Sequence, residues 1–370
     1  MADHSGFLAL PRGGSFYKAD LHMHSFGSSP DATDEGMTPA AIVETARARG
    51  LGLIALTDHN SVAAVADLLE AAHATNGVTA IPGVEITTTH GHVLIYCSPE
   101  SLPRLERMLQ RMDFLEDEEG GRYTRSRIDE LATTASGFGA VLIPAHVGRI
   151  NTGFMNRAPH RERQAAFETR GITTIELDPD QLRWFGPGDL EQGHDLRSEY
   201  LAKRAAALGI PADELHLGRV LFSDAHDLES IGRSRAGGER LTRIKMDEPS
   251  FESLRLALLD PQARVLLEEP LPERYPRVVG VRYFGGFLDD QEIAFAPNLT
   301  ALIGGRGAGK STALEALRST CLATDSPLSE SEAWPQAVQV EYLDEFGQPH
   351  LIQRDAGTEE AYELVLQRRL

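Results

Sequence analysis

Cysteine is almost missing from this chain: 370 residues carry only Cys97 and Cys321. Two thiols cannot form a disulfide framework, and Cys97, closing an apolar run, reads as a small buried hydrophobe. Long apolar runs are missing too. No stretch approaches the roughly 18 uninterrupted apolar residues that a membrane span requires, and the first ten residues lack a basic region followed by an apolar one. The expectation is a soluble, cytoplasmic protein with no membrane partner. Basic charge is the scarcer sign, with 36 Lys and Arg against 55 Asp and Glu and a formal net charge of −19. That excludes broad capture of nucleic acid by a basic surface, although not a nucleic acid substrate. Three divalent cations would bring about six positive charges into a cleft, and local charge decides what a site attracts. A hydrophobic content of 41% is ample for folded cores, and the length predicts two domains, or one large and one partial.

What is present is histidine in metal-binding company. Five of the 13 histidines fall in four patches: Asp20-Leu21-His22-Met23-His24, Thr57-Asp58-His59-Asn60, Pro144-Ala145-His146 and Ser223-Asp224-Ala225-His226. Each patch follows or ends an apolar β-type run, so its side chains lie where strands finish and loops begin. In a parallel α/β architecture that rim is where chemistry is placed. His22 and His24 are two apart on an extended segment and therefore point the same way. Imidazole and carboxylate together suit Zn, Mn or Fe, and the hard carboxylates favour Mn or Fe over a purely structural zinc.

Around these patches strands alternate with helical patterns. Thr38 and Pro39 open a helix that Arg49-Gly50 closes. Leu51 to Thr57 reads as a strand and Val62 to His73 as a helix. Val78 to Ile81 and His92 to Tyr96 read as strands on either side of Gly83-Val84-Glu85-Ile86. Helices are expected at 102–115, 124–136, 161–169, 196–208 and 249–259, and strands at 141–144, 172–177 and 220–223. Repeated βα units specify a mostly parallel sheet, open or closed. A Pro-punctuated stretch over 269–277 then marks a linker. Beyond it short strands take over, at 278–284, 292–295, 299–303, 338–343 and 350–353, with one helix after Lys310.

Within this last region, Gly304-Gly305-Arg306-Gly307-Ala308-Gly309-Lys310-Ser311-Thr312 fits the phosphate-loop pattern. Backbone amides of Gly304, Gly305, Gly307 and Gly309 and the positive end of the following helix suit a β-phosphate. Lys310 would reach the β- and γ-phosphates, and Ser311 and Thr312 stand where a hydroxyl meets Mg²⁺, so ATP with Mg is the expected ligand. An acidic Mg²⁺ partner on a second strand is not evident. Asp344-Glu345 runs into a Gly turn typical of a hairpin, so nucleotide binding is expected ahead of complete hydrolysis.

With both motif sets in view, the chain resembles the PHP (polymerase and histidinol phosphatase) superfamily of metal-dependent phosphoesterases over residues 14–268. The resemblance rests on Asp-Leu-His-Met-His-Ser at 20–25, Thr-Asp-His-Asn at 57–60, Gly-Val-Glu at 83–85, Pro-Ala-His at 144–146 and Ser-Asp-Ala-His at 223–226. Residues 284–318 resemble the start of an SMC/RecF-like ATPase head, and the combination is similar to TrlF-like proteins. Since the signature motif and acidic strand of such heads are not found, the chain reads as the amino-terminal piece of a longer protein, its ATPase lobe occupying 278–370.

The resemblance implies a distorted (β/α)7 barrel holding two or three divalent ions (Mn, Zn or Fe). Carried over residue by residue, it makes His22, His24, His59, Glu85, His146, Asp224 and His226 metal ligands, with Glu85 bridging two ions. After the first motif it offers Asp31 or Asp34, Asp31 being preferred. His92 matches a further ligand position, with His90 a near rival. The implied activity is phosphoester hydrolysis at a multinuclear site, foremost of phosphodiesters in DNA or RNA, gated by ATP at the SMC-like domain, in DNA repair or anti-phage defence. Asp58 or a ligand histidine would move the proton, and one of Arg149, Arg233 and Arg235 would grip a phosphate. A homodimer paired through the ATPase heads is implied as well. Two rival readings are a small-molecule phosphatase of the histidinol-phosphate type and a regulatory ATP-binding module whose PHP site is inactive.

Overall fold

The structure is a computed structural model that describes residues 13–364 apart from 119, 187–195, 235–236, 239–240, 268–274 and 298. The chain divides into two compact units, Phe16–Pro270 and Leu271–Leu370 together with Met1–Ser15. Most of the expected linker, residues 269–274, lies outside the described residues, and Arg277 already begins a strand.

The larger unit is mixed α/β. Its strands are β1 (Ser15–Asp20), β2 (Leu51–Leu56), β3 (Thr79–Thr88), β4 (Gly91–Tyr96), β5 (Phe114–Glu116), β6 (Arg122–Thr124), β7 (Val141–Pro144), β8 (Thr174–Glu176), β9 (Gly218–Val220), β10 (Arg243–Met246) and β11 (Val265–Leu266). One sheet runs β11-β10-β1-β2-β3-β4-β7, with the β5–β6 hairpin attached to β3. β1, β2 and β3 are parallel neighbours. β2, Leu-Gly-Leu-Ile-Ala-Leu, is buried over its whole length, as a central strand covered on both faces requires. The helix Pro39–Ala48 lies between β1 and β2 in the chain. Thr38 caps it by accepting from the Ala41 amide at 3.3 Å, and it buries Ile42, Val43 and Ala46.

The described residues do not establish the expected (β/α)7 barrel. β4 runs antiparallel to both β3 and β7, β8 pairs only with β9 in a separate parallel sheet, and no closed barrel exists among the described residues. The departure from parallel order lies at 89–90. Two residues link β3 to β4, far too few for a parallel crossover, and Gly91 takes φ 141° in the turn, where an added Cβ would meet the Phe154 backbone at 3.0 Å. Glu85, read as lying between strands, is inside β3, a single ten-residue strand. Among the described residues, the two sheets are bridged where the Val147 amide donates to Glu176 O at 3.0 Å and the Thr242 amide to Leu221 O at 3.1 Å.

In the smaller unit an antiparallel sheet is ordered β13 (Glu292–Ala294), β12 (Arg277–Phe284), β14 (Ala337–Leu343), β15 (Pro349–Asp355), β16 (Tyr362–Leu364). The helix Lys310–Leu322 packs Ala313 and Ala316 against Val281, Tyr283, Leu288, Val338 and Val340, and the Tyr283 hydroxyl donates to Ala313 O at 2.9 Å. The strand expected at 299–303 is absent: Leu299 is 77% exposed and Ile303 93%, and no neighbouring strand among the described residues offers ladder partners. No described helix in either unit is long and apolar enough to cross a membrane.

Candidate metal centre

The segment that follows β1 lies between two others. The Thr57 amide donates to Met23 O at 2.8 Å, and the His24 amide to Ala225 O at 2.9 Å. Period-2 geometry then sorts its side chains: Leu21 and Met23 enter apolar cores, while His22 and His24 turn together into one cavity. The other patches arrive at the same place on strained backbone. Asn60, His146 and Asp224 have φ of 55°, 28° and 53°, a region that non-glycine residues occupy at a cost of about 1–3 kcal/mol each and that clusters at functional sites.

Glu85 is the centre. Its Oε2 lies 3.1 Å from His22 Nε2, 3.3 Å from His24 Nε2 and 3.4 Å from His59 Nδ1. Its Oε1 lies 2.9 Å from His92 Nδ1 and 3.2 Å from His146 Nε2. Asp224 Oδ1 is 3.2 Å from Nε2 of both His22 and His24, and Asp31 Oδ2 is 3.2 Å from His59 Nε2 and 2.8 Å from His226 Nε2. Neighbouring imidazole centroids among His22, His24, His59, His92, His146 and His226 are 4.3–5.7 Å apart. Three overlapping donor sets result: His22, His24, Glu85 and Asp224; His24, Asp31, His59 and His226; and His59, Glu85 and His92. Within each set the ligand atoms lie within 4.8 Å of one another.

The outward nitrogens are tied down. His22 Nδ1 donates to Glu176 Oε2 at 2.9 Å, His24 Nδ1 faces Ser29 Oγ at 3.0 Å, His226 Nδ1 donates to Asp224 O at 2.9 Å, and His146 Nδ1 meets Thr152 Oγ1 at 3.4 Å. Such partners fix the ring orientation and raise the basicity of the nitrogen facing inward. Glu176 is the residue that sequence reasoning missed. Buried on β8, it holds His22 and also accepts from the His146 amide at 2.9 Å. Its only sequence signal is an acid between Ile175 and Leu177 in a strand pattern.

Electrostatics describe a pocket that demands positive charge. Burial opposes protonation of His22, yet Glu176, Glu85 and Asp224 outweigh it and hold the imidazole well above its ordinary value. Burial is likewise overcome at His24 by hydrogen bonds to Asp224 and Glu85, which push it up to about 9. Burial would raise Glu85 and Asp224, but the facing imidazoles, His22 foremost, hold both well below the carboxylate range. Protons here occupy the nitrogens that a divalent cation would take, so the donor set fits such an ion. Affinity for Mn²⁺ should therefore rise with pH up to about 9 as His24 gives up its proton. In metal-free protein the His24 contribution to stability runs the other way, complete below about 6.5 and lost as pH rises through about 9. Calorimetric titration of Mn²⁺ in several buffers checks this; affinity unchanged between the two pH values, with no proton release, contradicts it.

Several expected residues are placed elsewhere. The Asp34 carboxylate accepts from the Gly36 amide at 2.8 Å and the Leu228 amide at 3.2 Å, so it organises a loop while Asp31 faces the histidines. His90 pairs with Glu162 at 2.8 Å, leaving His92 at the cluster. Asp58 is buried behind Ser25, whose amide and hydroxyl donate to its two oxygens at 2.6 and 2.7 Å, and burial raises its pKa. It braces the turn after His24. Arg233 pairs with Glu229 at 3.5 Å on the surface, and Arg235 lies outside the described residues. Arg149 does reach the cluster, its Nη1 donating to Asp224 Oδ2.

In the smaller unit, Gly307 and Gly309 take φ of 83° and 80°, and Lys310 starts the helix. Its Nζ folds back to donate to Gly304 O at 2.6 Å and Gly305 O at 2.8 Å, while Ser311 and Thr312 occupy the first helical turn.

Residues 20–173 match the PHP domain family model, and residues 279–368 match the AAA domain model. The chain carries a PHP domain followed by an AAA domain. It is 32% identical over 104 residues to a 5'-3' exoribonuclease of Haemophilus influenzae, covering 27% of this chain and 36% of that protein. It is 35% identical over 77 residues to a 3',5'-nucleoside bisphosphate phosphatase of Chromobacterium violaceum, covering 21% and 25%. The chain thus spans well under half the length of either relative. Among solved structures it is similar to the lesion-specific endonuclease PfuEndoQ from Pyrococcus furiosus, at TM-score 0.47 and 19% identity, over 73% of this chain and 62% of that one. The patches from His22 to His146 lie within the matched PHP residues, while Glu176, Asp224 and His226 lie beyond them.

Proposed function

We propose that the PHP domain is a multinuclear metal-dependent phosphoesterase whose substrate is a nucleotide phosphoester, foremost a phosphodiester of DNA or RNA. The observation that carries this is Glu85, one oxygen facing His22, His24 and His59 and the other facing His92 and His146. A carboxylate so placed can be shared between two cations, which an imidazole cannot. Two or three ions of Mn, Zn or Fe would be held by the donor sets His22, His24, Glu85 and Asp224; His24, Asp31, His59 and His226; and His59, Glu85 and His92, with His146 beside the second oxygen of Glu85. When bound, such ions supply hydroxide near neutral pH and neutralise charge on phosphoryl oxygens. Glu176 keeps the His22 Nε2 lone pair turned inward, and Asp224 shares its outer oxygen with Arg149. The part-exposed His59 and His226, with Asp31, form the open side of the cluster, where a leaving group can collect a proton. The two relatives, a 5'-3' exoribonuclease and a 3',5'-nucleoside bisphosphate phosphatase, support a nucleotide substrate.

The second relative also favours a small-molecule phosphatase as the alternative. Rates on a labelled single-stranded oligonucleotide and on a nucleoside monophosphate, with metal content measured in parallel, separate the two. Protein that retains no transition metal and cleaves neither substrate leaves a regulatory module.

We further propose that the AAA domain binds ATP with Mg²⁺ at Gly304–Thr312, that ATP changes the cleavage rate, and that nucleotide pairs two copies of the chain. Lys310→Ala should weaken ATP binding roughly 10- to 100-fold, as loss of charge-assisted bonds worth about 1.5–3 kcal/mol implies. Fluorescent-nucleotide titration reads this. Oligonucleotide cleavage at equal rates with and without ATP removes the gating, and sedimentation unchanged by ATP removes the pairing.

A further inference from the structure

Two carboxylates hold Arg149, from different directions. Asp178 Oδ2 accepts from Nε at 3.0 Å and Asp178 Oδ1 from Nη2 at 3.0 Å, a bidentate fork, while Nη1 turns to the outer oxygen of Asp224. The inner oxygen of Asp224 faces His22 and His24, so the guanidinium approaches the cluster without competing for the donor atom. Arg149 thus brings a guanidinium to a cluster carboxylate.

Asp178 is itself locked. It caps a short 3-10 turn, Pro179–Gln181, with its amide donating to Gln181 Oε1 at 3.3 Å and its carbonyl accepting from the Gln181 amide at 2.9 Å. The buried Gln181 side chain fills the space over Gly148, where an added Cβ would sit 2.4 Å from Gln181 Oε1. The Arg149 backbone is fixed from its other side: its amide donates to His146 O at 3.0 Å, and its carbonyl accepts from the Gly153 amide at 2.9 Å and Asn156 Nδ2 at 3.1 Å. These contacts together hold one guanidinium beside the donor cluster. A surface ion pair needs no such support, and a flexible arginine would lose rotamer freedom on meeting an anion.

We propose that Asp178 is a positioning residue that presents Arg149, through Nη1, to a phosphoryl oxygen of the substrate. This rests on the phosphoesterase reading of the same centre. Asp178 never touches substrate; it occupies the Nε and Nη2 edge while Asp224 takes one Nη1 hydrogen, so that the second Nη1 hydrogen meets the anion at a fixed place. Displacement of such an arm by about 1 Å can cost on the order of 100-fold.

The test compares wild type with Asp178→Asn, Asp178→Glu and Gly148→Ala, all loaded with Mn²⁺. Inorganic phosphate is titrated by calorimetry, and KM and kcat are measured on the substrate the wild type cleaves. Asp178→Asn should weaken phosphate binding and raise KM by roughly 10- to 100-fold with a smaller change in kcat and unchanged metal content. Gly148→Ala should act in the same direction by displacing Gln181, and Asp178→Glu should recover part of the loss. Phosphate affinity and KM within twofold of wild type in both Asp178→Asn and Gly148→Ala overturn the proposal, as does metal loss that accounts for the whole effect. Should Asp178→Asn fail to fold, Gly148→Ala carries the test. Wild type that binds phosphate through Arg149 but hydrolyses nothing would instead sink the phosphoesterase reading and leave the clamp standing.

Discussion

Glu85→Gln should strip the centre of tightly held metal and abolish hydrolysis together. The substitution keeps the shape of the side chain but replaces one oxygen by an amide donor, which cannot face an imidazole nitrogen that must itself give its lone pair to a cation. It also removes the negative charge between the His22, His24, His59 group and the His92, His146 group. Breaking a buried ionic arrangement by deleting one partner costs about 3–5 kcal/mol. Converted at about 1.36 kcal/mol per decade, that is roughly 10²- to 10⁴-fold in affinity or rate. Elemental analysis after dialysis and rate measurement on the preferred substrate check it. Metal content and rate within a few-fold of wild type would show that the centre does not share ions through Glu85, and the multinuclear reading would fall with it.

Glu176→Ala acts from behind the cluster and should be nearly as damaging. Two groups lose a partner at once: the ring nitrogen of His22 at 2.9 Å and the backbone amide of His146, also at 2.9 Å. Both are buried, so water does not readily replace the lost acceptor. His22, held well above its ordinary value with Glu176 as its largest charged partner, should move down towards it. Metal affinity is expected to fall roughly 10- to 100-fold, the usual scale when the carboxylate behind a ligating histidine is removed. Stability of the metal-free protein should drop by about 3–5 kcal/mol. Thermal unfolding in chelator and Mn²⁺ titration provide the two readouts, and Glu176→Gln, which keeps one acceptor, should recover part of each. Unchanged metal affinity in Glu176→Ala would mean that His22 is oriented without it.

The contrast between these residues marks how far the sequence is legible. His22, His24, His59 and His226 stand in short patches with carboxylates and His146 in one without, and each patch follows or ends an apolar run, so local pattern alone assembles the list. Glu85 needed the family resemblance, because Gly-Val-Glu carries no signature of its own. Glu176 had neither: its neighbours Ile175 and Leu177 make it look like one polar position in a buried strand. The resemblance offered both Asp31 and Asp34, Asp31 being preferred, and loop geometry turns Asp31 towards His226 and Asp34 towards the amides of Gly36 and Leu228. Asp58 sits in the most recognisable patch yet spends both oxygens on Ser25.

The same limit shows in the fold. Alternating strands and helices imply parallel crossovers, but whether a crossover exists depends on chain length between strands, and the two residues after β3 reverse the direction. A phosphate loop is legible because glycine spacing is a backbone requirement, whereas the strand expected before it needs a neighbour to receive its hydrogen bonds.

Sequence by itself determined the chemistry: which donor types are available, that they gather at strand ends, and that a second, glycine-rich loop suits a nucleotide. Only the tertiary structure decided which carboxylates join them, that Glu176 stands behind His22, and that Asp178 braces Arg149. The reason is physical. Ligand type and spacing are properties of neighbouring residues along the chain, but orientation and protonation are set by groups 30 to 200 positions away that burial brings within 3 Å or so.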